Sequence, residues 1–454
     1  MTDTGVAARR GKRWIDRWEP EDPAFWAGGG SRVAGRNLAA SIFAEHLGFS
    51  VWSLWSVLVL FMTPVSGYGL DPGRKFLLVS LVTLVGAVLR VPYTLAVPRF
   101  GGRNWTAFSA AILIVPTAAA AAAMRGPGLP LWAFLLIGGL AGLGGGNFAS
   151  SMSNINFFYP QRRKGWALGL NAGGGNIGVA VVQLAGLAVI ALAGLAHPSY
   201  VPLIYLPLIL IAGVVALRAM DNLTPAKADL AAQKAAVGHR DFWPLSLLYV
   251  GTFGSFIGYS FAFGLVLVAQ FGRTPLGAAE LTFLGPLAGS LARPAGGWLS
   301  DRLGAARVTL WTFAGMAGCA GVLLAATSRA SFGLFVGGFI GLFVLSGVGN
   351  GSTYAMIPAV VAARSGLPAG AGGEAGPDQA RRVASAMLGI VGAVGALGGV
   401  LINLAFRASF SSAAKSAGPA LIAFLVFYAV CFAVTWLRYA RRPATAPEAA
   451  YEAA

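Results

Sequence analysis

The sequence predicts an all-α membrane protein with twelve transmembrane helices in two pseudo-symmetric six-helix halves. Three observations carry that prediction. The composition is too apolar for a soluble chain, the apolar residues fall into twelve runs of membrane-spanning length, and the second six runs repeat landmarks of the first. Hydrophobic residues make up 56% and charged residues 11% of the 454 positions, and the mean hydropathy is +0.70. A soluble globular domain is roughly 25% charged, and no single core would hide this much apolar surface.

Taken in order, the apolar segments of the first half are 37–62, 75–98, 105–124, 131–157, 165–195 and 200–220. Those of the second are 242–270, 277–299, 308–327, 332–361, 381–408 and 416–438. Each has about 20 residues or more, the length a helix needs to cross a hydrocarbon core of roughly 30 Å. Ahead of them, residues 1–36 carry seven cations and no continuous apolar core, and read as a cytoplasmic N-terminal segment, not a cleaved signal peptide. Between the halves, 221–241 (DNLTPAKADLAAQKAAVGHRD) is the one long polar stretch and reads as a cytoplasmic linker. It bounds the halves at 37–220 and 242–438 and leaves 439–454 as a cytoplasmic tail. The stretch 365–380 (SGLPAGAGGEAGPDQA) reads as a flexible connector rather than a gating loop.

The net charge of +17 is a signal of topology. With the N-terminus inside, twenty-four of the 33 lysines and arginines fall in cytoplasmic segments, seven in external loops and two within spans. That is the positive-inside distribution, with both termini cytoplasmic in an inner membrane. It accounts for the basic excess without a nucleic-acid partner, and Arg162, Arg163 and Lys164 read as one such anchor. Cys319 and Cys431 fall in spans and imply neither a disulfide nor a metal site. The histidines, His46, His197 and His239, form no ligand-spaced cluster, so neither metal nor cofactor is expected. Without such a cluster, or paired carboxylates inside the membrane, enzymatic chemistry is not expected either.

The halves echo each other in detail. RVPYTLAVPRFGGRNW places Arg90 eleven residues before Gly101, and RPAGGWLSDRLGAARV places Arg293 eleven residues before Gly304. GLGGGNF aligns Gly142, Gly144 and Gly146 with Gly347, Gly349 and Gly351 of GVGNGST. Near-constant offsets across half the chain indicate an internal duplication, the plan of carriers whose central site lies between repeats.

Only Arg90, Arg293, Glu45 and His46 lie well inside spans. An arginine near the bilayer centre costs about 2.5–3.5 kcal/mol on insertion scales, and such residues face a bundle interior. Two matched arginines against one acid predict a site for an anion, with the two cations converging mid-bilayer. The planar guanidinium offers paired N–H donors and keeps its proton, which suits a small oxyanion. Spacing alone leaves nitrate, carboxylate and phosphate open.

GLGGGNFASSMSNINFFYPQRRKGWALGLNAGGGNIGVA (142–180) resembles the nitrate signature of the nitrate/nitrite porter family within the major facilitator superfamily, and SGVGNGSTYAMIPAV (346–360) resembles its second copy. GGWLSDRLGAAR resembles the superfamily's loop signature through Gly297, Asp301, Arg302, Gly304 and Arg307; its first-half counterpart, VPRFGGRNW, lacks the acidic residue. The likeness runs from WEPEDPAFW (18–26) through the twelfth span. It implies the superfamily fold and transport of nitrate, with nitrite as a further substrate, by a monomer in the lipid bilayer.

Residue by residue, the resemblance implies that Arg90 in LRVPY and Arg293 in LARPAGG hold the anion. Phe148 in GGNFASS and Tyr354 in GSTYAM match the aromatic walls, although the family often has Phe at the second position. Tyr249 and Phe253 in LYVGTFGSF match site residues of the seventh span. Asn176 in GGGNIG, with Asn171 nearby, matches the amide that contacts the anion, and Phe49 in LGFSVW is a further match. The family's glycine runs, here Gly144, Gly146, Gly173, Gly175, Gly349 and Gly351, let helices approach and slide; small-residue faces are what permit close packing in lipid. Nitrate is flat, so rings above and below can sandwich it while N–H groups take its oxygens, whereas tetrahedral phosphate would not fit.

Two facing cations repel when no anion lies between them, so a carrier built on them alone cycles loaded, as an exchanger. Coupling to protons needs a titratable group inside the membrane. Glu45 and His46, in SIFAEHLGFSVW, are the candidates, since burial raises a carboxyl pKa and histidine titrates near neutrality. FAEHLGFSVWSLW resembles the branch regarded as nitrate/proton symporters more than the exchange branch. Proton-coupled nitrate import is therefore expected, with nitrate/nitrite exchange, or carriage of another oxyanion such as formate, as alternatives.

Overall fold

A computed structural model describes residues 9–10, 13–64, 66–226, 229–364 and 375–441. Most of the expected connector 365–380, nearly all the expected tail and the first eight residues lie outside them. Among the described residues, twelve helices of membrane-spanning length follow one another: α1 (Pro23–Phe61), α2 (Pro72–Phe100), α3 (Gly102–Ala123), α4 (Leu131–Phe158), α5 (Gln161–Ala193) and α6 (Tyr200–Ala219). After a short linker helix, Leu230–Gly238, come α7 (Phe242–Phe271), α8 (275–303), α9 (Ala305–Ser328), α10 (Phe332–Arg364), α11 (Ala375–Ser411) and α12 (Gly418–Ala440). Among the described residues eleven of these are apolar enough to span a membrane by length and composition. The exception is α8, built of two pieces, Pro275–Thr282 and Leu284–Leu303, that meet at Phe283. Its sequence includes Glu280, Arg293, Asp301 and Arg302 and is correspondingly less apolar.

The chain divides into two compact units, Met1–Gly69 with Leu84–Ala228, and Leu70–Thr83 with Asp229–Ala454. The first turns of α2 thus count with the second unit, where Phe76 stacks on Phe406 and Phe410 at 5.7 and 5.6 Å. In each unit the first helix of the repeat is the buried one. In its most apolar stretch α1 is 83% buried and α7 89%, against 39% for α6 and 33% for α12.

In the first unit a three-stranded ribbon ties the N-terminal segment to the end of α6. Strands β1 (Arg9–Arg10) and β2 (Trp14–Ile15) are antiparallel, and β2 runs parallel to β3 (Asn222–Leu223). The buried Asp221 carboxylate anchors it, meeting Arg36, Arg13 at 3.5 Å and the Asn37 amide at 3.1 Å. The duplicated landmarks carry the same backbone: Gly101 has φ 86° and Gly304 φ 85°, each starting the helix after its arginine-bearing one. Positive φ is where glycine is the default residue.

Glycines set the closest helix crossings in both units. A Cβ on Gly145 would lie 2.7 Å from the Gly86 Cα, which brings α4 onto α2, and Gly144 faces the Gly48 carbonyl of α1. In the second unit, a Cβ on Gly351 would sit 2.6 Å from the Gly297 nitrogen, and one on Gly296 would sit 2.7 Å from the Val348 carbonyl carbon. Gly296→Ala is therefore expected to lower the thermal unfolding midpoint of the purified protein by several degrees, since overpacking costs about 1–3 kcal/mol. Gly318→Ala, whose Cβ would meet nothing within 4 Å, should leave the midpoint in place.

Candidate functional site

In the first unit the site grows around Arg90 on α2. Two residues on, Pro92 stands inside the helix; lacking an N–H, it cannot satisfy the Val88 carbonyl. Such breaks are tolerated in membrane helices where neighbours supply partners. The Arg90 side chain is fully buried. Its Cζ lies 4.6 Å from the Phe148 ring centroid and 5.5 Å from that of Trp52. Phe49 meets both rings edge-on, at 5.9 Å from Phe148 and 5.4 Å from Trp52. A cation over ring faces is stabilised by about 0.5–2 kcal/mol, so Phe148 and Trp52 hold the guanidinium and Phe49 buttresses both rings. Phe49 and Phe148 were expected here; Trp52 was not, and its signal is its position one turn beyond Phe49.

Asn176 on α5 is fully buried, and neither end of its amide has a hydrogen-bond partner among the described residues. Asn147 on α4, next to Phe148, is in the same condition. Leaving a buried polar group unsatisfied costs about 1–3 kcal/mol, so such amides are matched to a guest or to water. Asn147 is not among the expected site residues, although it stands out as a polar residue in a glycine-rich apolar run.

The second unit repeats the theme. Arg293 on α8 immediately precedes Pro294 and is buried. Its Nη2 donates to the Tyr249 hydroxyl at 3.4 Å, and its Cζ lies 5.6 Å from the Tyr354 ring centroid. Tyr249 stacks on Phe253 at 5.3 Å and tilts toward Tyr354 at 5.7 Å. Thus Tyr249, Phe253 and Tyr354 gather at one arginine, as Phe49, Trp52 and Phe148 do at the other. Asn350, with both amide ends, and the hydroxyls of Thr252 and Thr353 are buried here without a hydrogen-bond partner among the described residues. Residue type alone gave no notice of the two threonines.

A separate polar cluster sits between α1, α4 and α5. Glu45 is buried, and its Oε2 accepts from the Asn171 amide at 2.6 Å. The same Asn171 nitrogen reaches the Ser151 hydroxyl at 2.7 Å, and Ser151 meets Ser41 at 2.8 Å. Asn171 therefore serves the carboxyl group here, a role distinct from the anion contact expected of it. His46 is half-buried and brings Nδ1 to 3.2 Å from the Gly174 carbonyl.

The expected conformational glycines divide. Gly146 faces the Tyr93 ring, Gly175 the Glu45 side chain and Gly349 the methyls of Thr252 and Thr312, while Gly144 and Gly351 sit at the backbone crossings above. Gly173 differs: a Cβ there would meet nothing within 4 Å, and it is Gly174 that faces α1, through Ile42.

The Major Facilitator Superfamily profile matches residues 38–402. The chain is 40% identical over 447 residues to the nitrate/nitrite transporter NarU of Escherichia coli K12, covering 94% of this chain and 96% of that one. It is 27% identical to the nitrite extrusion protein of Bacillus subtilis 168, covering 88% and 94%. Among solved structures, a bacterial homologue of the human lysosomal transporter Spinster superposes with a TM-score of 0.61 at 15% identity, covering 88% of this chain and 95% of that chain. That last likeness concerns the fold alone.

Proposed function

Because this chain belongs to the nitrate/nitrite porter family of the Major Facilitator Superfamily, we propose that it imports nitrate, with nitrite as a second substrate, by alternating access. The anion is held by Arg90 and Arg293, and protons drive uptake through Glu45. The orientation that goes with this reading puts both termini in the cytoplasm and the chain in the cytoplasmic membrane as a monomer.

The observation that carries the reading is the repeated pairing of a buried arginine with aromatic faces. Arg90 lies over Phe148 and Trp52, and Arg293 lies over Tyr354 while donating to the Tyr249 hydroxyl. A guanidinium fork recognises two oxygens of a planar anion at once. The rings accept the flat face of nitrate and exclude the water a bulkier, more strongly hydrated anion would keep. Asn176 adds an amide donor. Purified carrier in liposomes should take up labelled nitrate, and excess unlabelled nitrate or nitrite should compete. Equal competition by formate or acetate would transfer the site to small carboxylates.

Tyr354 is where this chain departs from its family, so its hydroxyl is the natural place for selectivity. Tyr354→Phe keeps the ring over Arg293 and removes one donor. Nitrate affinity is expected to change by no more than about fivefold, the worth of one net hydrogen bond of roughly 1 kcal/mol, while the ratio of nitrate to nitrite uptake shifts. An unchanged ratio would make Tyr354 a wall only.

A further inference from the structure

We propose that a cavity at the linker end of the second unit binds the phosphate group of an anionic phospholipid. The open cavity, about 340 Å³, is lined by Arg240, Arg364, Leu437 and Arg438, at the low end of the roughly 300–1,000 Å³ typical of ligand sites. Arg240 and Arg364 stand nine and ten residues from Tyr249 and Tyr354, about 13–15 Å along their helices, and the cavity takes no part in the transport reading.

The three arginines of its lining share one fully buried carboxylate, that of Asp241, the residue before α7. Arg438 reaches Asp241 Oδ1 at 3.0 Å, and Arg364 and Arg240 reach Oδ2 at 3.4 and 3.7 Å, all through Nε. The Tyr439 hydroxyl donates to the same Oδ1 at 3.0 Å. Approach through Nε leaves terminal guanidinium nitrogens for a second acceptor; Arg438 commits one of them to the Arg240 carbonyl at 2.8 Å.

The charge balance points to an anion. His239 also stands 3.9 Å from Asp241 Oδ2, but its Nδ1 accepts from the Asp241 backbone N–H at 3.2 Å, which places the ring in the neutral form. Burial holds its pKa below the ordinary histidine value, with Arg240 and Arg364 adding to the effect against Asp241. Among the described residues, three permanent cations therefore surround one carboxylate. Arginine clusters of this kind take phosphate oxygens in paired hydrogen bonds.

The surroundings favour a lipid source over a free ion. Leu437, on the cavity wall, is 60% exposed, and Trp243, the second residue of α7, is 67% exposed. Exposed tryptophans at helix ends mark the level of lipid headgroups, and basic pockets at that level suit anionic headgroups. A phosphate seated against the arginines can leave its acyl chains along the apolar flank of α12.

The test uses the full chain in neutral detergent, titrated with dioleoyl phosphatidylglycerol, dioleoyl phosphatidylcholine or inorganic phosphate. Bound lipid is counted by native mass spectrometry and stabilisation by thermal unfolding. Phosphatidylglycerol should bind and raise the unfolding midpoint, and phosphatidylcholine should not. Arg240→Gln, the most exposed of the three and the farthest from Asp241, should keep the fold and weaken phosphatidylglycerol binding about tenfold, the worth of one charge-assisted hydrogen bond. Arg240→Lys should recover part of it. Protection by inorganic phosphate that Arg240→Gln abolishes would keep the oxyanion site and overturn the lipid as its source. Equal retention of phosphatidylglycerol by wild type and Arg240→Gln, or no preference over phosphatidylcholine, would overturn the proposal.

Discussion

An Arg293→Lys carrier is expected to fold, reach the membrane and lose nearly all nitrate uptake, and Arg90→Lys is expected to do the same. Lysine keeps the charge, so the loss isolates geometry. A guanidinium presents parallel N–H donors to two oxygens of one planar anion, whereas an ammonium is a hydrated point charge. One charge-assisted hydrogen bond is worth about 1.5–3 kcal/mol, so losing one at each arginine lowers affinity by roughly ten- to 150-fold. The packing argues in the same direction. The Arg90 guanidinium is placed over Phe148 and Trp52 as a flat group, and Arg293 is oriented by the Tyr249 hydroxyl. A lysine can lie over a ring or donate to the hydroxyl but presents no planar fork to the anion. The measurement is labelled nitrate uptake into proteoliposomes at several concentrations, with reconstituted protein quantified. Near-normal affinity in Arg293→Lys would remove that residue from the anion site.

Those two arginines were legible because charge inside an apolar helix is rare enough to stand out. Their shared eleven-residue spacing to Gly101 and Gly304 marked the repeat, and both glycines have the same positive-φ backbone. The start of α1 was less visible. The apolar pattern places it at residue 37, yet the helix begins at Pro23, passing a break at Gly29, because polar residues outside the bilayer core can extend a helix at no hydrophobic cost. Trp52 carries only a weak signal, its place one turn beyond Phe49, since aromatics line membrane helices throughout. Periodicity also has no view of tertiary pairing: Asn171 and Glu45 are 126 residues apart, and only the packing of α5 on α1 brings their side chains together. The arginines at Asp241 look, in sequence, like the general basic excess of one membrane face. Their convergence on one buried carboxylate comes from the start of α7 meeting the ends of α10 and α12.

Glu45→Gln is expected to abolish nitrate accumulation driven by a proton gradient while leaving nitrate binding and exchange largely intact. The carboxyl group is buried on α1, accepts from the Asn171 amide and faces Gly175, where a Cβ would press on the side chain. A glutamine at this position has nearly the same shape and keeps an oxygen for Asn171, so the fold should survive. What it cannot do is gain and lose a proton as the cycle turns. A carboxyl that takes up a proton on one side of the membrane and releases it on the other would couple that proton to the movement of an anion. Liposomes loaded without nitrite and given an inward proton gradient should concentrate nitrate with the wild-type carrier and only equilibrate it with Glu45→Gln. Counterflow of labelled nitrate against unlabelled nitrate inside should persist in both. If the wild type ignores the gradient and requires nitrite on the opposite side, exchange is the mode and Glu45 is a structural partner of Asn171. Loss of counterflow as well in Glu45→Gln would instead place Glu45 among the residues that hold the bundle in shape.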